Sequence, residues 1–439
     1  MSITSTDAAE VAEIRALAEP LRRADDLDPL LARIGDARYV LLGEASHGTA
    51  DHYGWRAALT RRLVAEHGFS FVAVEGDWPD CARVNRWVKG RPGADGGESA
   101  ADVLRRFERW PTWMWANREV AAFIAWLRDH NRTTGAGVGF YGLDVYSLWD
   151  SLHALIGYLR EHVPGAVDAA QQAVGCFDPY GEDPQRYAWA TRLVPTDCQD
   201  EVIDLLVRLR EAVPPPEGDD REAALDADQN AAVLAGAERY YRTMVHADNE
   251  SWNVRDRHMA DSLDRLVAHH DPGARAIVWA HNTHIGDARA TDMARAGMVN
   301  LGQLLRERHG PGDVALVGFA AHHGSVIAAE RWGAPARRMT VPFPPPGTHE
   351  DLLHRALGDP GLLVFPDDRR SPWLGSPRGH RAIGVVYRPS GDAAGNWVPT
   401  VMGERYDALA SFDTTGPVTP IHDQPAAPGE EQETYPWSM

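Results

Sequence analysis

The sequence predicts an α/β fold in which a mostly parallel sheet is flanked by helices and a large helical insertion forms a lid over a cleft. Three observations indicate this class. Short and almost continuously apolar runs recur along the chain, as in strands that are buried on both faces. Helical patterns lie between these runs, and this alternation favours a parallel sheet. The middle of the chain is predominantly helical.

Seven apolar runs predict strands. Six of them end at a charged residue or a glycine-containing turn, and the seventh lies near the end of the chain. The stretch Thr49–Glu66 predicts a helix, with Trp55, Leu59 and Leu63 on one face and Thr49 placed to cap it. The predicted strands are Arg38–Gly43, Ser70–Val74, Val138–Gly142, Ala274–Ala280, Asp313–Phe319, Gly361–Phe365 and His380–Tyr387.

The helical middle of the chain divides the predicted core in two. A proline-rich loop over Val213–Asp220 interrupts it. Its predicted helices are Arg118–His130, Trp149–His162, Asp200–Ala212 and the interrupted Arg221–His270. We therefore expect a first core part over 1–97, an insertion or lid over 98–270 with one core strand near 138–144, a second core part over 271–423, and a disordered tail over 424–439.

Composition excludes several classes of protein. The 439 residues carry 44 Lys and Arg against 63 Asp and Glu, a net charge of −19, which argues against a nucleic-acid-binding surface. No run approaches about 18 apolar residues, so no membrane span is expected, and the N-terminus lacks the features of a secretory signal. Cys81, Cys176 and Cys198 form no CxxC pair. This predicts no disulfide framework, no thiolate zinc site and a cytoplasmic protein.

Ionisable residues follow four of the predicted strands. In open α/β sheets, ligands bind in the crevice outside the carboxyl ends of the strands, so these side chains are expected to converge there. Any one of them could be a helix cap or a surface group, but four strand ends together favour a site. Arg56, in the helix after the first strand, is expected to join it and to contact an oxyanion. The residues are Glu44 and His47, Glu75, Asp144, and His281 and His284.

The residue types limit the chemistry of this site. Ser46 is not in a G-x-S-x-G elbow, and Cys81 is expected to be a buried structural thiol, so no covalent nucleophile is indicated. Glu44, His47, Glu75, His281 and His284 are plausible metal ligands, but the recurrent zinc spacings are absent. Phosphate-binding glycine loops are absent too. General acid–base catalysis on a bound water is the interpretation that remains.

Further residues are predicted to bind substrate. Trp78 follows the Glu75 strand, and Asp144 is expected to line the cleft with Glu44 and Glu75. Trp113 lies in the aromatic cluster Trp110–Trp115, for which a packing role is favoured over a substrate platform. Arg255 lies in a charged helical run that is typical of a solvated face, and His323 belongs to a histidine pair after a strand. The substrate-binding candidates are therefore Asp144, Trp78, Trp113, Arg255 and His323.

Several motifs together resemble the erythromycin esterase family, in the same order from about residue 30 to 415. They are Leu42–Thr49 with Arg56, Val72–Trp78, Trp252–Met259 and Trp279–His284. The resemblance implies an α/β core with a helical lid over a deep active-site cleft. It implies hydrolysis of a cyclic ester, a macrolide lactone, with no required metal or cofactor. It also implies His47 as general base, with Glu44, Arg56, Glu75, His281 and His284 completing the site.

The expected function is hydrolysis of a macrolide or another large lactone, with no nucleic-acid or membrane partner. His47 would deprotonate water, Glu44 and Glu75 would orient the histidines, and Arg56 with His284 or His281 would stabilise the oxyanion or protonate the leaving alkoxide. An acidic cleft would favour a substrate that carries an amine. Two alternatives stay open: a metal-dependent hydrolase or a non-hydrolytic lyase or cyclase acting on a polyketide-like or sugar-ester metabolite, and a protein that sequesters a ligand.

Overall fold

The sheet forms the centre of the protein. The computed structural model describes residues 5–91, 99–180, 184–193, 197–212, 220–244, 249–369 and 371–422. Its strands are β1 Ala18–Pro20, β2 Tyr39–Leu42, β3 Phe71–Asp77, β4 Gly139–Asp144, β5 Ala276–Trp279, β6 Val314–Ala328, β7 Arg337–Val341, β8 Gly361–Val364, β9 Pro377–Arg381, β10 Trp397–Val401 and β11 Ala408–Thr415. Nine of them form one sheet in the order β1-β8-β11-β6-β2-β5-β3-β4, with β7 paired to β6.

The sheet is mixed but mostly parallel. The central neighbours β11, β6, β2, β5, β3 and β4 all pair in parallel, whereas β1, β7 and β8 pair antiparallel. Every residue of β2, β4 and β5 is buried, as expected for strands covered on both faces. The predicted α/β class with a mostly parallel sheet is therefore confirmed.

Helices surround this sheet. They are α1 Ser5–Leu17, α2 Asp28–Ile34, α3 Ala50–His67, α4 Trp78–Val88, α5 Ala100–Leu104, α6 Arg118–Thr134, α7 Leu148–His162, α8 Val167–Phe177, α9 Pro184–Leu193, α10 Gln199–Ala212, α11 Asp220–Met244, α12 Glu250–His269, α13 Asn282–Ile285, α14 Leu301–His309, α15 His349–Leu357, α16 Pro372–Gly375, α17 Asp392–Gly395 and α18 Met402–Arg405. None of the described helices is long and apolar enough to cross a membrane.

Six of the predicted strands lie in the main sheet. The seventh run overlaps the end of β9, which pairs with β10 in a separate two-stranded sheet. After Arg381 the described chain is irregular, so the rest of the predicted strand does not form. The sequence reasoning missed β11, although this strand lies between β6 and β8. Polar residues such as Ser411 and Asp413 interrupt its apolar run, so the signal used for the other strands is weak there.

The helices α7–α11 share a hydrophobic cluster of their own. They contact the rest of the protein along α12 and at α4, where Trp78 Nε1 donates to Asp226 Oδ1 at 2.7 Å and Lys89 Nζ donates to Glu222 Oε1 at 2.5 Å. The predicted interruption of the last long helix is found between α11 and α12. Most of the predicted proline-rich loop and the predicted tail lie outside the described residues.

The cysteines differ from the expectation. A disulfide joins Cys176 on α8 to Cys198 at the start of α10, so the prediction of no disulfide was wrong. The packing of α8 against α10 brings the two residues together, and their sequence separation of 22 residues gave no local signal. Cys81 is the free cysteine, and it is buried.

Candidate active site

The ends of four neighbouring parallel strands meet at one edge of the sheet. Glu44 and His47 follow β2, His281 and His284 follow β5, Glu75 lies near the end of β3, and Asp144 ends β4. Because β2, β5, β3 and β4 are adjacent and parallel, their carboxyl ends deliver these side chains to one place. All six residues are at most 4% exposed, so the charges among them act in a medium that screens them weakly.

The first group in the site is Glu44 with His47 and Arg56. Glu44 Oε1 lies 2.8 Å from His47 Nδ1, and Glu44 Oε2 accepts from Arg56 Nη2 at 2.7 Å. A carboxylate at Nδ1 fixes the proton on that nitrogen, so Nε2 becomes the basic atom of the ring. Arg56 is fully buried and packs against the rings of Tyr53 and Trp279.

The second group is built around Arg255 of α12. Its Nε donates to Asp144 Oδ1 at 2.9 Å and its Nη2 to Asp144 Oδ2 at 2.7 Å. The same Nη2 donates to Glu75 Oε1 at 2.7 Å. Burial opposes the charged form, but Asp144, Tyr146 and Glu75 together outweigh it and hold the pKa of Arg255 well above its usual range. The prediction that the charged run around Arg255 is a solvated face was therefore wrong, since Arg255 and its neighbour Asp256 are both buried.

His284 joins this second group as a cation. Its Nδ1 lies 3.0 Å from both carboxylate oxygens of Asp256, its Nε2 lies 3.3 Å from Glu75 Oε1, and its ring stacks on Trp252. Burial alone would lower the pKa of His284. The charges of Asp256 and Glu75 outweigh burial and raise the pKa to about 9. The same Nε2 lies 3.1 Å from Nη1 of Arg255.

Glu75 stays ionised between these two cations. Burial alone would raise its pKa, but His284 and Arg255 hold the pKa of Glu75 well below its usual range. Its second oxygen, Oε2, accepts from the backbone N–H of His281 at 2.8 Å. Glu75 therefore connects β3, α12 and the turn after β5.

His281 is a neutral ring beside His47. The two ring centroids are 4.8 Å apart, and burial, followed by the charge that His47 carries when it is protonated, lowers the pKa of His281 well below its usual value. Its Nδ1 accepts from the backbone N–H of Thr283 at 3.3 Å and lies 2.8 Å from Thr283 Oγ1. These contacts assign the ring proton to Nε2, which is buried and has no hydrogen-bond partner among the described residues.

A cleft that is open to solvent lies beside these groups. His47, Glu75, Asp144 and Arg255 line it. The other side chains that line it include Asp77, Asp80, Arg109, Trp110, Trp115, Tyr146 and Trp332. Burial raises the pKa of Asp77 to about 6.

The cleft wall from segment 98–270 comes from residues 107–115, Asp144, Tyr146 and Arg255. The described residues of α7–α11 contribute nothing to it. The predicted lid over the cleft is therefore not shown for these helices. Within the predicted aromatic cluster, Trp110, Trp113 and Trp115 all belong to the hydrophobic core, and Trp110 and Trp115 also line the cleft.

Other predicted site residues lie away from the cleft. Glu44, Arg56, His281 and His284 do not line the cleft. Glu44 and Arg56 lie behind His47, and His281 lies beside it. Trp78 packs on Tyr141 with the rings 7° from parallel, because α4 turns this side chain toward α11. His323 lies within β6, next to His322.

The two candidate nucleophiles are not activated. Ser46 Oγ pairs with Thr49 Oγ1 in a buried contact, so Thr49 does not cap α3 through its side chain. Burial raises the pKa of the Cys81 thiol well above its usual value. Both observations agree with the sequence-based view that no covalent nucleophile is indicated.

Sequence reasoning missed Asp256, Asp77, Asp80 and Arg109. For Asp256 a signal was present, since it lies four residues after Trp252 on α12 and both side chains contact His284. No local pattern distinguishes Arg109 or Asp80 from ordinary surface charges. Their placement in the cleft depends on how the segment after α5 packs.

The fold and the site define an α/β enzyme whose buried histidines, carboxylates and arginines meet at the carboxyl edge of a parallel sheet. The sequence matches the family model for erythromycin esterase over residues 64–415. The chain belongs to the erythromycin esterase family, and this membership implies an esterase with a small-molecule substrate. The resemblance noted from the motifs is thereby confirmed.

Curated relatives and solved structures agree with this assignment. The chain is 23% identical to erythromycin esterase type I of Escherichia coli over 354 residues, which cover 76% of this chain and 83% of that enzyme. It is 31% identical to erythromycin esterase type II of Escherichia coli over 121 residues, which cover 28% of this chain and only 26% of that enzyme.

Among solved structures, a protein from Bacillus cereus superposes with a TM-score of 0.77 at 17% identity, covering 96% of this chain and 100% of that one. A succinoglycan biosynthesis protein superposes with a TM-score of 0.76 at 22% identity, covering 95% and 100%. An erythromycin esterase mutant in its open conformation gives 0.63 at 18% identity, covering 94% and 97%. At these identities the likeness shows the fold alone.

Proposed function

We propose that this chain hydrolyses a lactone or a related ester, with a large macrolide-type ring as the substrate class, by general-base activation of water at His47. The observation that carries the proposal is the placement of His47. Its Nδ1 is held by Glu44 at 2.8 Å, and its ring lines the cleft. Arg56 in turn holds Glu44. A buried carboxylate–histidine pair at a cleft wall is the arrangement that a general base requires.

The chemistry follows from the two ring nitrogens of His47. Nε2 takes a proton from water while the water oxygen forms a bond to the ester carbonyl carbon. The tetrahedral intermediate then collapses, the carbon–oxygen bond of the ester breaks, and His47 returns its proton to the leaving alkoxide. Glu44 stabilises the imidazolium that exists between these two steps.

His281 is proposed as a donor to the oxyanion of that intermediate. Its Nε2 carries the ring proton, is buried beside His47, and has no partner among the described residues. Arg56 is assigned a positioning role through Glu44 instead. His284 and Arg255 are proposed to fix Glu75, whose Oε2 holds the backbone of His281 in place.

The cleft wall supports a substrate with an apolar ring and a cationic substituent. Trp110, Trp115 and Trp332 supply aromatic surface. Asp77 and Asp80 lie on the same wall, and their charge would attract an amine. We propose that the segment around residues 107–115 covers the substrate and selects it, in place of the lid that the sequence predicts from the whole helical insertion.

The test is incubation with a panel of macrolides and simpler lactones, followed by mass spectrometry for a gain of one water. His47→Ala should lower kcat by at least about 10²–10⁴-fold, the usual contribution of a general base, while thermal unfolding stays cooperative. His153→Ala, at an exposed position on α7, is the control and should keep full activity. Activity of His47→Ala close to wild type would disprove the general base, and no hydrated product from any lactone would disprove the substrate class.

A further inference from the structure

A second cluster of histidines lies outside the cleft. His322 and His323 lie on β6, His354 on α15, and Asp413 on β11. Three of them, His322, His354 and Asp413, each present a possible ligand atom, and these atoms lie within 4.8 Å of one another. No other described group of three or more His, Cys, Asp or Glu residues meets this condition. The esterase chemistry uses none of these residues.

We propose that this cluster binds a divalent first-row transition metal ion, with zinc as the best match. The ligands are the Nδ1 atoms of His322 and His354 and the carboxylate of Asp413, and the fourth position of a tetrahedral ion stays open. Imidazole nitrogens with one carboxylate form a donor set that suits zinc and its neighbours, whereas calcium and magnesium prefer oxygen ligands alone.

The distances around His322 fit such an ion. Its Nδ1 lies 3.7 Å from Oδ1 of Asp413. A tetrahedral zinc ion with bonds of about 2.0 Å separates its ligand atoms by roughly 3.3 Å, and the measured distance is close to that value. His354 Nδ1 already contacts the same Asp413 oxygen.

His323 lies beside this group and is not one of its ligands. Its Nδ1 lies 3.0 Å from Nδ1 of His322, and its Nε2 lies 3.3 Å from Thr414 Oγ1. The ring of Phe343 lies over His323, with the centroids 4.7 Å apart, and covers this side of the cluster.

One side chain must move for the ion to bind. The rings of His322 and His354 are stacked 4.0 Å apart and nearly parallel, so both lone pairs cannot point at one ion in that arrangement. His354 is 42% exposed whereas His322 is 6% exposed. His354 is therefore the ring that rotates, and His322 with Asp413 forms the fixed part of the site.

The experiment uses the full chain without an affinity tag, stripped with a chelator and titrated with Zn²⁺ against a chromophoric competitor. Wild type should bind one equivalent, and added Zn²⁺ should raise its Tm, because an ion that binds only the native state stabilises it. His354→Ala and Asp413→Asn should each weaken binding by more than about 100-fold, since even residues around metal ligands contribute 10–100-fold. Co²⁺ should give a tetrahedral visible spectrum in wild type and not in His354→Ala or Asp413→Asn.

The control is His162→Ala, because His162 is 37% exposed and lies 3.9 Å from the Glu161 carboxylate, like a surface histidine–carboxylate pair without further ligands. It should bind Zn²⁺ as wild type does. No stoichiometric binding by wild type would overturn the proposal. So would unchanged affinity in both His354→Ala and Asp413→Asn, because the ion would then lie elsewhere. These readouts do not depend on hydrolysis.

Discussion

Glu44 and Glu75 are each bound to one histidine and one arginine, yet the two groups differ in their charge. Glu44 is the single carboxylate shared by His47 and Arg56. In the second group, Glu75, Asp144 and Asp256 surround His284 and Arg255. The additional carboxylates hold His284 as a cation, with its pKa raised to about 9, and both of its ring nitrogens face carboxylates.

This difference separates a reactive histidine from a structural one. His284 faces carboxylates at both nitrogens, so it cannot accept a proton from water near neutral pH. His47 has a carboxylate at Nδ1 only and lines the cleft. The first group is therefore suited to proton transfer, while the second fixes Glu75 and the backbone of His281. The following predictions test this division.

The largest expected effect is on catalysis, from Glu44→Gln. The amide can donate to Nδ1 and so favour the wrong tautomer of His47, which would lower kcat by about 10³–10⁴-fold. Steady-state kinetics on the substrate found by the lactone panel would measure it. Glu66→Gln, at an exposed ion pair on α3, is the control and should leave kcat unchanged. A loss smaller than about tenfold would contradict the role assigned to Glu44.

The next largest effect is on stability, from Arg255→Met. This change leaves Glu75 and Asp144 buried without their cation and should cost about 3–5 kcal/mol in the free energy of unfolding. Chemical denaturation would measure the loss. Arg62→Met removes an arginine that also contacts two carboxylates, Asp28 and Glu66, but at the surface, and should cost at most about 1 kcal/mol. Equal losses in the two variants would refute the distinction.

The smallest effect is a pH dependence that comes from His284. Its pKa in the folded state, about 9, lies above the ordinary value of 6.5. The stability that it contributes is therefore fully present below pH 6.5 and is lost as the pH rises through about 9. The free energy of unfolding of wild type minus that of His284→Gln should fall by up to about 3 kcal/mol over this interval. A flat or rising difference would contradict a charged His284.

Much of the fold could be predicted because its signals are local. A strand that is buried on both faces favours a nearly continuous apolar run, and the six predicted strands of the main sheet have one. The irregular end of the seventh run and the position of β11 could not be predicted in this way. The end of the seventh run depends on which segment pairs with it, and β11 has polar residues within its apolar run.

The residues of the site also divide into those whose positions follow from local signals and those whose positions depend on packing. Glu44, His47, Glu75, Asp144, His281 and His284 lie at or shortly after the ends of parallel strands, so their approach to one edge follows from parallel pairing alone. Arg255 and Asp256 reach them through the rotation of α12 about its axis, which depends on packing. The positions of Trp78 and His323 were missed for the same reason. Trp78 begins α4, which turns it toward α11, and β6 continues beyond the predicted strand end and includes His323.

The sequence by itself therefore determined the class of fold, the family and the residues at the strand ends, because strand burial and strand direction are encoded in short segments. Only the tertiary structure decided which carboxylates surround which cation, and hence that His47 lines the cleft while His284 is held as an ion. It also decided the pairing of Cys176 with Cys198 and the histidine cluster around Asp413. The physical reason is that charge and burial depend on neighbours that lie far away in the chain.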